Sequence, residues 1–159
     1  MLIIPNRQTI LYFGIRISAR IVNRWAGQNK KKMLINQAEL FPALLARTTW
    51  SSHLRERKCI HFVDNDGCRD ALIKGYSPVE CSGHLLGAVW SVDEALQMYS
   101  WFCRVPSESN VADGPSRLDF QNLEALGATR CEVVFPDNWD VVGPQPPSFP
   151  IIWREAFAP

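Results

Sequence analysis

No acidic residue occurs among the first 38 positions, so nothing in that stretch can act as a carboxylate ligand, acid or base. The five cysteines, at 59, 68, 81, 103 and 131, include no C-x-x-C pair and are odd in number. This argues against both a zinc knuckle and a disulfide framework, and leaves reduced thiols as the expectation. No apolar run approaches the ~18 to 20 residues that cross a bilayer. The opening Met1-Leu-Ile-Ile-Pro5 has neither the charged lead nor the long apolar core of a secretory leader. Together these absences predict a protein that works inside a cell, in the cytoplasm or nucleus, with no membrane partner. There is no internal repeat.

What is present suits one compact domain: 159 residues, 47% of them hydrophobic, are enough to enclose a core without staples. The net charge of +1 conceals a basic front and an acidic back. Residues 1–58 carry eleven Lys or Arg against Glu39 and Glu56, and residues 59–159 carry six against fourteen acids. Basic side chains among aromatics, including Arg16, Arg20, Arg24, Trp25, Lys30, Lys31 and Lys32, suit a phosphate backbone. They equally suit a face that pairs with the acidic half.

Residues 1–4 read as a short apolar strand closed by Pro5-Asn6. Residues 9–17 are aromatic and β-branched and read as a second, with Gly14 at a bulge or close contact. Ser18 is placed to cap a helix over 19–26, and residues 31–35 read as a third strand. Helical spacing of Ala38, Phe41, Leu44, Leu45, Thr48 and Thr49 predicts a helix from Asn36 to about Arg55, with Pro42 either near its start or at a kink. Residues 58–65 alternate as a strand and stop on Asp64-Asn65. Helices over 67–74 and about 79–99 follow, then a buried strand over 100–105. A helix at 123–126, an edge strand at 131–135 and a Pro-rich extended tail over 143–150 complete the reading. Strands first, then helices alternating with strands, indicate an α/β or α+β sheet with helices on its faces.

Three acids stand at element ends: Glu39 in the first turns of a helix, Asp64 after a central strand, and Asp113 after the next one. A helix-start acid and a strand-end cap account for such positions with no chemistry in view. Convergence at one end of the sheet would instead gather carboxylates that repel one another, and a hard divalent cation with oxygen ligands is the usual remedy. Two such ions support phosphodiester hydrolysis.

The segments that carry these acids are Gln37-Ala-Glu39-Leu40, Phe62-Val-Asp64-Asn65 and Asn110-Val-Ala-Asp113-Gly-Pro-Ser-Arg117, the last after Trp101-Phe-Cys-Arg-Val-Pro106. In order and spacing they resemble the ribonuclease H domain of retroelement reverse transcriptases, most nearly the domain that follows the polymerase in retrotransposons. The likeness covers residues 1–120 and leaves 121–159 as a C-terminal extension, partly irregular and Pro-rich.

The resemblance implies an α/β, ribonuclease H-like fold: a mixed five-stranded sheet, opening with three antiparallel strands, and flanking helices. It implies a Mg²⁺-dependent endonuclease, with Mn²⁺ as substitute, cutting the RNA strand of an RNA–DNA hybrid, and an upstream polymerase domain of the same polyprotein as partner. Glu39, Asp64 and Asp113 would be the catalytic metal ligands. Gln37, Asn65, Arg24, Lys30, Lys31 and Lys32 are the candidates for contact with hybrid or duplex. Ser116 and Arg117 would bind a phosphate or brace Asp113. The chain departs from the family at the first strand, whose bridging aspartate has no counterpart before Glu39; Asn6 is the nearest polar residue. The histidine that many members carry before the last aspartate is also missing from residues 106–110. Impaired cleavage, or binding without cleavage, is the expectation.

Overall fold

The computed structural model describes residues 1–28 and 34–136. It is a mixed α/β structure in which five short strands form two separate sheets beside seven helices among the described residues. The first sheet has β1 (Leu2–Ile4), β2 (Thr9–Tyr12) and β5 (Thr129–Arg130) in the order β1-β2-β5, with β1 antiparallel and β5 parallel to β2. The second has β3 (Lys58–Val63) and β4 (Tyr99–Arg104), paired in parallel from Lys58↔Tyr99 to Val63↔Arg104.

The expected single five-stranded sheet is therefore not formed among the described residues. β1 pairs with β2, and β3 with β4, and no strand joins the two pairs. The expected third antiparallel strand falls at 31–35, where residues 31–33 lie outside the described residues and Ile35 already belongs to a helix. Residues 131–135 form no strand either. Their backbone is held singly, Cys131 N–H donating to the Tyr12 carbonyl and Val134 bonding Thr48 and Thr49. The Pro-rich stretch at 143–150 lies outside the described residues.

Helix α1 (Ala19–Gln28) starts at Ser18, whose carbonyl accepts from Val22 N–H and whose hydroxyl accepts from Ile21 N–H. Helix α2 (Ile35–Thr49) stops at Trp50, and the short α3 (Ser51–Leu54) follows. Pro42 stays inside α2, on an exposed position. The missing N–H costs such a helix about 3 kcal/mol. The buried face of Leu40, Phe41, Leu44 and Leu45 offsets it, since each fully buried side chain contributes about 1.5–3 kcal/mol.

Between β3 and β4 the chain forms α4 (Asp66–Lys74) and α5 (Glu80–Leu96). Gly75, at φ +64°, ends α4 in the left-handed conformation that glycine adopts at no steric cost. The core packs α2 against α5, with Trp25 of α1, Val63 of β3, and Cys68 and Leu72 of α4 joining Leu85, Leu86 and Val89. A second cluster gathers Leu11, Trp50, Leu54, Leu96 and Met98 under β1 and β3.

The alternation of β3 sends Cys59, His61 and Val63 toward these clusters and leaves Ile60 and Phe62 exposed, beside exposed Tyr99 and Trp101 of β4. Two short helices, α6 (Asp113–Ser116) and α7 (Gln121–Ala125), lead to β5. Leu123 of α7 is buried, and β5, which follows α7, pairs with β2. No described helix is long and apolar enough to cross a membrane, and all five cysteines are free thiols.

Candidate acidic site

Parallel pairing sets the geometry. β3 and β4 run the same way and end level, so the residues that follow them leave from one end of the sheet, the end where open α/β folds place their sites. Val105 N–H donates to the Val63 carbonyl at 3.0 Å and carries the register one step further. Asp64 therefore emerges beside the loop that leads to Asp113.

Asp64 is fixed in the chain by its neighbour. Asn65 has extended backbone, and its Oδ1 accepts from Cys68 N–H at 2.9 Å, which caps α4. Gly67 lets α2 approach: a Cβ there would lie 3.4 Å from the Asn36 amide oxygen and 3.3 Å from that of Asn65. The start of α2, with Glu39 on it, thus abuts the start of α4.

Asp113 opens α6. Its N–H donates to the Asn110 carbonyl at 2.9 Å, while the Asn110 Oδ1 accepts from Ala112 N–H at 3.0 Å. The Asn110 Nδ2 donates to Asp64 Oδ2 at 3.0 Å, so the loop that carries Asp113 is tied to Asp64. Arg117 Nη2 reaches the Asp113 carboxylate at 3.3 and 3.4 Å, and the Ser116 hydroxyl donates to the Asp113 carbonyl. Both are placed as braces for Asp113. The Arg117 pair is open to solvent and contributes about 1 kcal/mol or less.

Glu39 completes the group electrostatically. Its carboxyl is held above the usual carboxylate range, first by burial and then by the charges of Asp64 and Asp113. The buried Cys68 thiol responds to the same field: burial first, then Glu39 and Asp64, push it up to about 12. Cys68 is therefore a thiol without thiolate character beside the acids, and not a nucleophile. The three acids share one field.

They do not share one ion position as they stand. Among the described residues, no three His, Cys, Asp or Glu side chains are grouped so as to hold a metal ion. The donor chemistry, oxygen and negative charge, suits Mg²⁺ or Mn²⁺, but the spacing does not close a three-ligand set. The residues present thus do not fit a resident metal centre by themselves.

Asp66 and Asp70 belong elsewhere. Asp66 pairs with Arg69 at 3.1 Å and Arg104 at 3.0 Å, and Asp70 with Arg69 at 2.9 Å. The hydrogen bond from Arg69 draws the Asp70 carboxyl below its usual range. His61 packs against Phe102, and burial followed by the Arg47 charge lowers it to about 3. It is a neutral structural imidazole.

Gln37 is a correction. Expected at a nucleic-acid surface, it is 1% exposed between α2 and α5, its Nε2 donating to Ser82 Oγ at 2.7 Å and Cys81 Sγ at 3.3 Å. Its Oε1 is buried with no partner. The α2–α5 contact needs that face, so Gln37 serves packing. Asn65 is half-buried with its amide oxygen committed to the cap, and Arg24 is partly buried on α1. Lys30, Lys31 and Lys32 lie outside the described residues.

Sequence reasoning missed Asn110 and Cys68. An Asn three residues before Asp113 is a turn-forming signal and could have flagged the first. A lone cysteine one turn into a helix carries no comparable signal. Comparison with protein-family models, curated proteins and solved structures finds no match for this chain.

Proposed function

We propose that the chain is a ribonuclease H-like domain of retroelement origin, acting on RNA–DNA hybrids through an acidic centre of Glu39, Asp64 and Asp113. The observation that supports it is the convergence of acids from three separate elements. Glu39 of α2 feels both Asp64, after β3, and Asp113, after β4, and a hydrogen bond from Asn110 joins the latter two regions.

The centre is incomplete. Residues 1–38 offer no carboxylate, and the three acids do not close on one ion. Mg²⁺, with Mn²⁺ as substitute, is the cofactor that the resemblance implies. What the chain's own residues do is concentrate negative charge at the end of the sheet, hold Asp64 through Asn110 and brace Asp113 through Arg117. Loss of a ligand or its outer support commonly costs about 10- to 100-fold in affinity or activity. Hybrid binding with weak or absent cleavage follows, carried by contacts to phosphates and 2′-hydroxyls.

The test is a labelled RNA–DNA hybrid incubated with the protein and with its Asp64→Asn form, in Mg²⁺ and in Mn²⁺, with binding followed in parallel against salt. Salt-sensitive binding, with weak cleavage that Asp64→Asn abolishes or with no cleavage at all, is the expected result. Vigorous metal-dependent cleavage that needs Asp64 would show that the centre is complete without a first-strand acid. Neither binding nor cleavage by folded protein would overturn the assignment.

A further inference from the structure

We infer that Asn110 is a positioning residue that locks the Asp64 carboxylate and the Asp113 loop into one unit, a role that rests on the acidic-centre reading above. Its polar groups are all engaged. Its N–H donates to the Ser107 carbonyl at 3.1 Å, its carbonyl accepts from Asp113 N–H at 2.9 Å, its Oδ1 accepts from Ala112 N–H at 3.0 Å, and its Nδ2 donates to Asp64 Oδ2 at 3.0 Å. One half-buried side chain thus spans 46 residues of sequence, from the end of β3 to the loop after β4.

The chemistry selects an amide. The position needs an acceptor for a backbone N–H and, on the same short side chain, a donor for a carboxylate. Aspartate supplies the acceptor but sets a second charge against Asp64. Serine has one oxygen for both tasks and a shorter reach. Asparagine meets both with no charge of its own. The Nδ2 bond reaches one oxygen of Asp64, so it restrains the carboxylate while its other oxygen faces away from this bond.

The direct test is a cycle of Asp64→Ala, Asn110→Ala and the double variant, read by amide hydrogen exchange at Ala112 and Asp113, with the β3 amides as internal control. If Asn110 transmits order from Asp64, Asp64→Ala alone speeds exchange at both loop amides by about tenfold, the scale of one net hydrogen bond. The double variant then goes no faster than Asn110→Ala. Unchanged loop exchange in Asp64→Ala, or effects that simply multiply, would overturn the inference. A Mn²⁺ titration by water-proton relaxation adds a second reading. Where the parent binds the ion, Asn110→Ala and Asn110→Asp both weaken it by about 10- to 100-fold. Tighter binding in Asn110→Asp, or equal binding in Asn110→Ala, would contradict the role. If the parent binds no Mn²⁺, in keeping with three acids that do not close on one ion, the exchange cycle alone decides Asn110.

Discussion

Arg47 of α2 meets Asp93 of α5 in a buried fork, Nε 2.5 Å from Oδ1 and Nη2 3.2 Å from Oδ2, with the two residues 3% and 2% exposed. Arg47 also donates to the Ala43 carbonyl and the Ser100 hydroxyl, and that hydroxyl donates to Asp93. The pair joins the basic front of the chain to its acidic back beneath β4. Its worth lies less in net attraction than in the cost of leaving either charge alone in the core. Arg47→Met or Asp93→Leu alone is expected to lose about 3–5 kcal/mol by urea denaturation, and the double variant much less than the sum. Additive losses would show that the two side chains act separately.

Gly14 and Gly27 predict opposite signs. A Cβ at Gly14 would stand 2.7 Å from two ring atoms of Phe120 and 3.0 Å from the Pro115 carbonyl, whereas one at Gly27 meets nothing within 4 Å. Gly14→Ala should therefore destabilise by about 1–3 kcal/mol through overpacking. Gly27→Ala, in α1, should stabilise by about 0.5–1 kcal/mol. Thermal unfolding of the two variants reads both signs.

His61 sets a pH dependence. Its folded pKa, lowered to about 3 from 6.5 by burial and then by Arg47, means that the unfolded chain takes up a proton which the native imidazole refuses. Stability from this group falls as pH drops below 6.5, at a rate approaching about 1.4 kcal/mol per pH unit, and levels off near pH 3. Urea denaturation of the parent and of His61→Leu between pH 7 and 4 should show the parent losing more stability on acidification. Parallel curves would contradict a neutral His61 packed against Phe102.

Glu39 acts in the other direction. With its folded pKa above the ordinary 4.5, the native state binds this proton more readily than the unfolded chain. Its contribution therefore improves as pH falls through the folded value toward 4.5. Glu39→Gln should be more stable than the parent at pH 7 in chelator, and the advantage should shrink toward pH 4. A variant less stable at pH 7 would remove the repulsion on which the acidic centre depends.

Local order was legible where one period dominates. The alternation over 58–65 and the helical spacing from Asn36 to about Arg55 predicted β3 and α2, because burial on one face enforces each pattern, although β3 stops at Val63 and α2 at Thr49. Pairing was less legible. β2 stops at Tyr12, although the aromatic run continues to Ile17, since Phe13, Ile15 and Ile17 pack against the helix core instead of extending the sheet. β5 pairs with β2 through two positions, Leu11↔Thr129 and Tyr12↔Arg130, a contact too short to leave a sequence pattern. Of the candidate site, the sequence placed Glu39 in the early turns of a helix, Asp64 after a strand and Asp113 after the next, and the structure has them on the second turn of α2, just past β3 and at the start of α6. Gln37 was misplaced because position within a helix turn does not tell which of two polar neighbours faces a second helix.

The most direct measurement is an NMR titration of the Glu39 side-chain carboxyl carbon in metal-free protein, compared between the parent, Asp64→Asn and Asp113→Asn. Glu39 is expected to titrate above the ordinary carboxylate value, falling in each variant and further for Asp64→Asn, because Asp64 exerts the larger of the two charge effects. A Glu39 titration that neither substitution moves would show that the three acids do not form one centre.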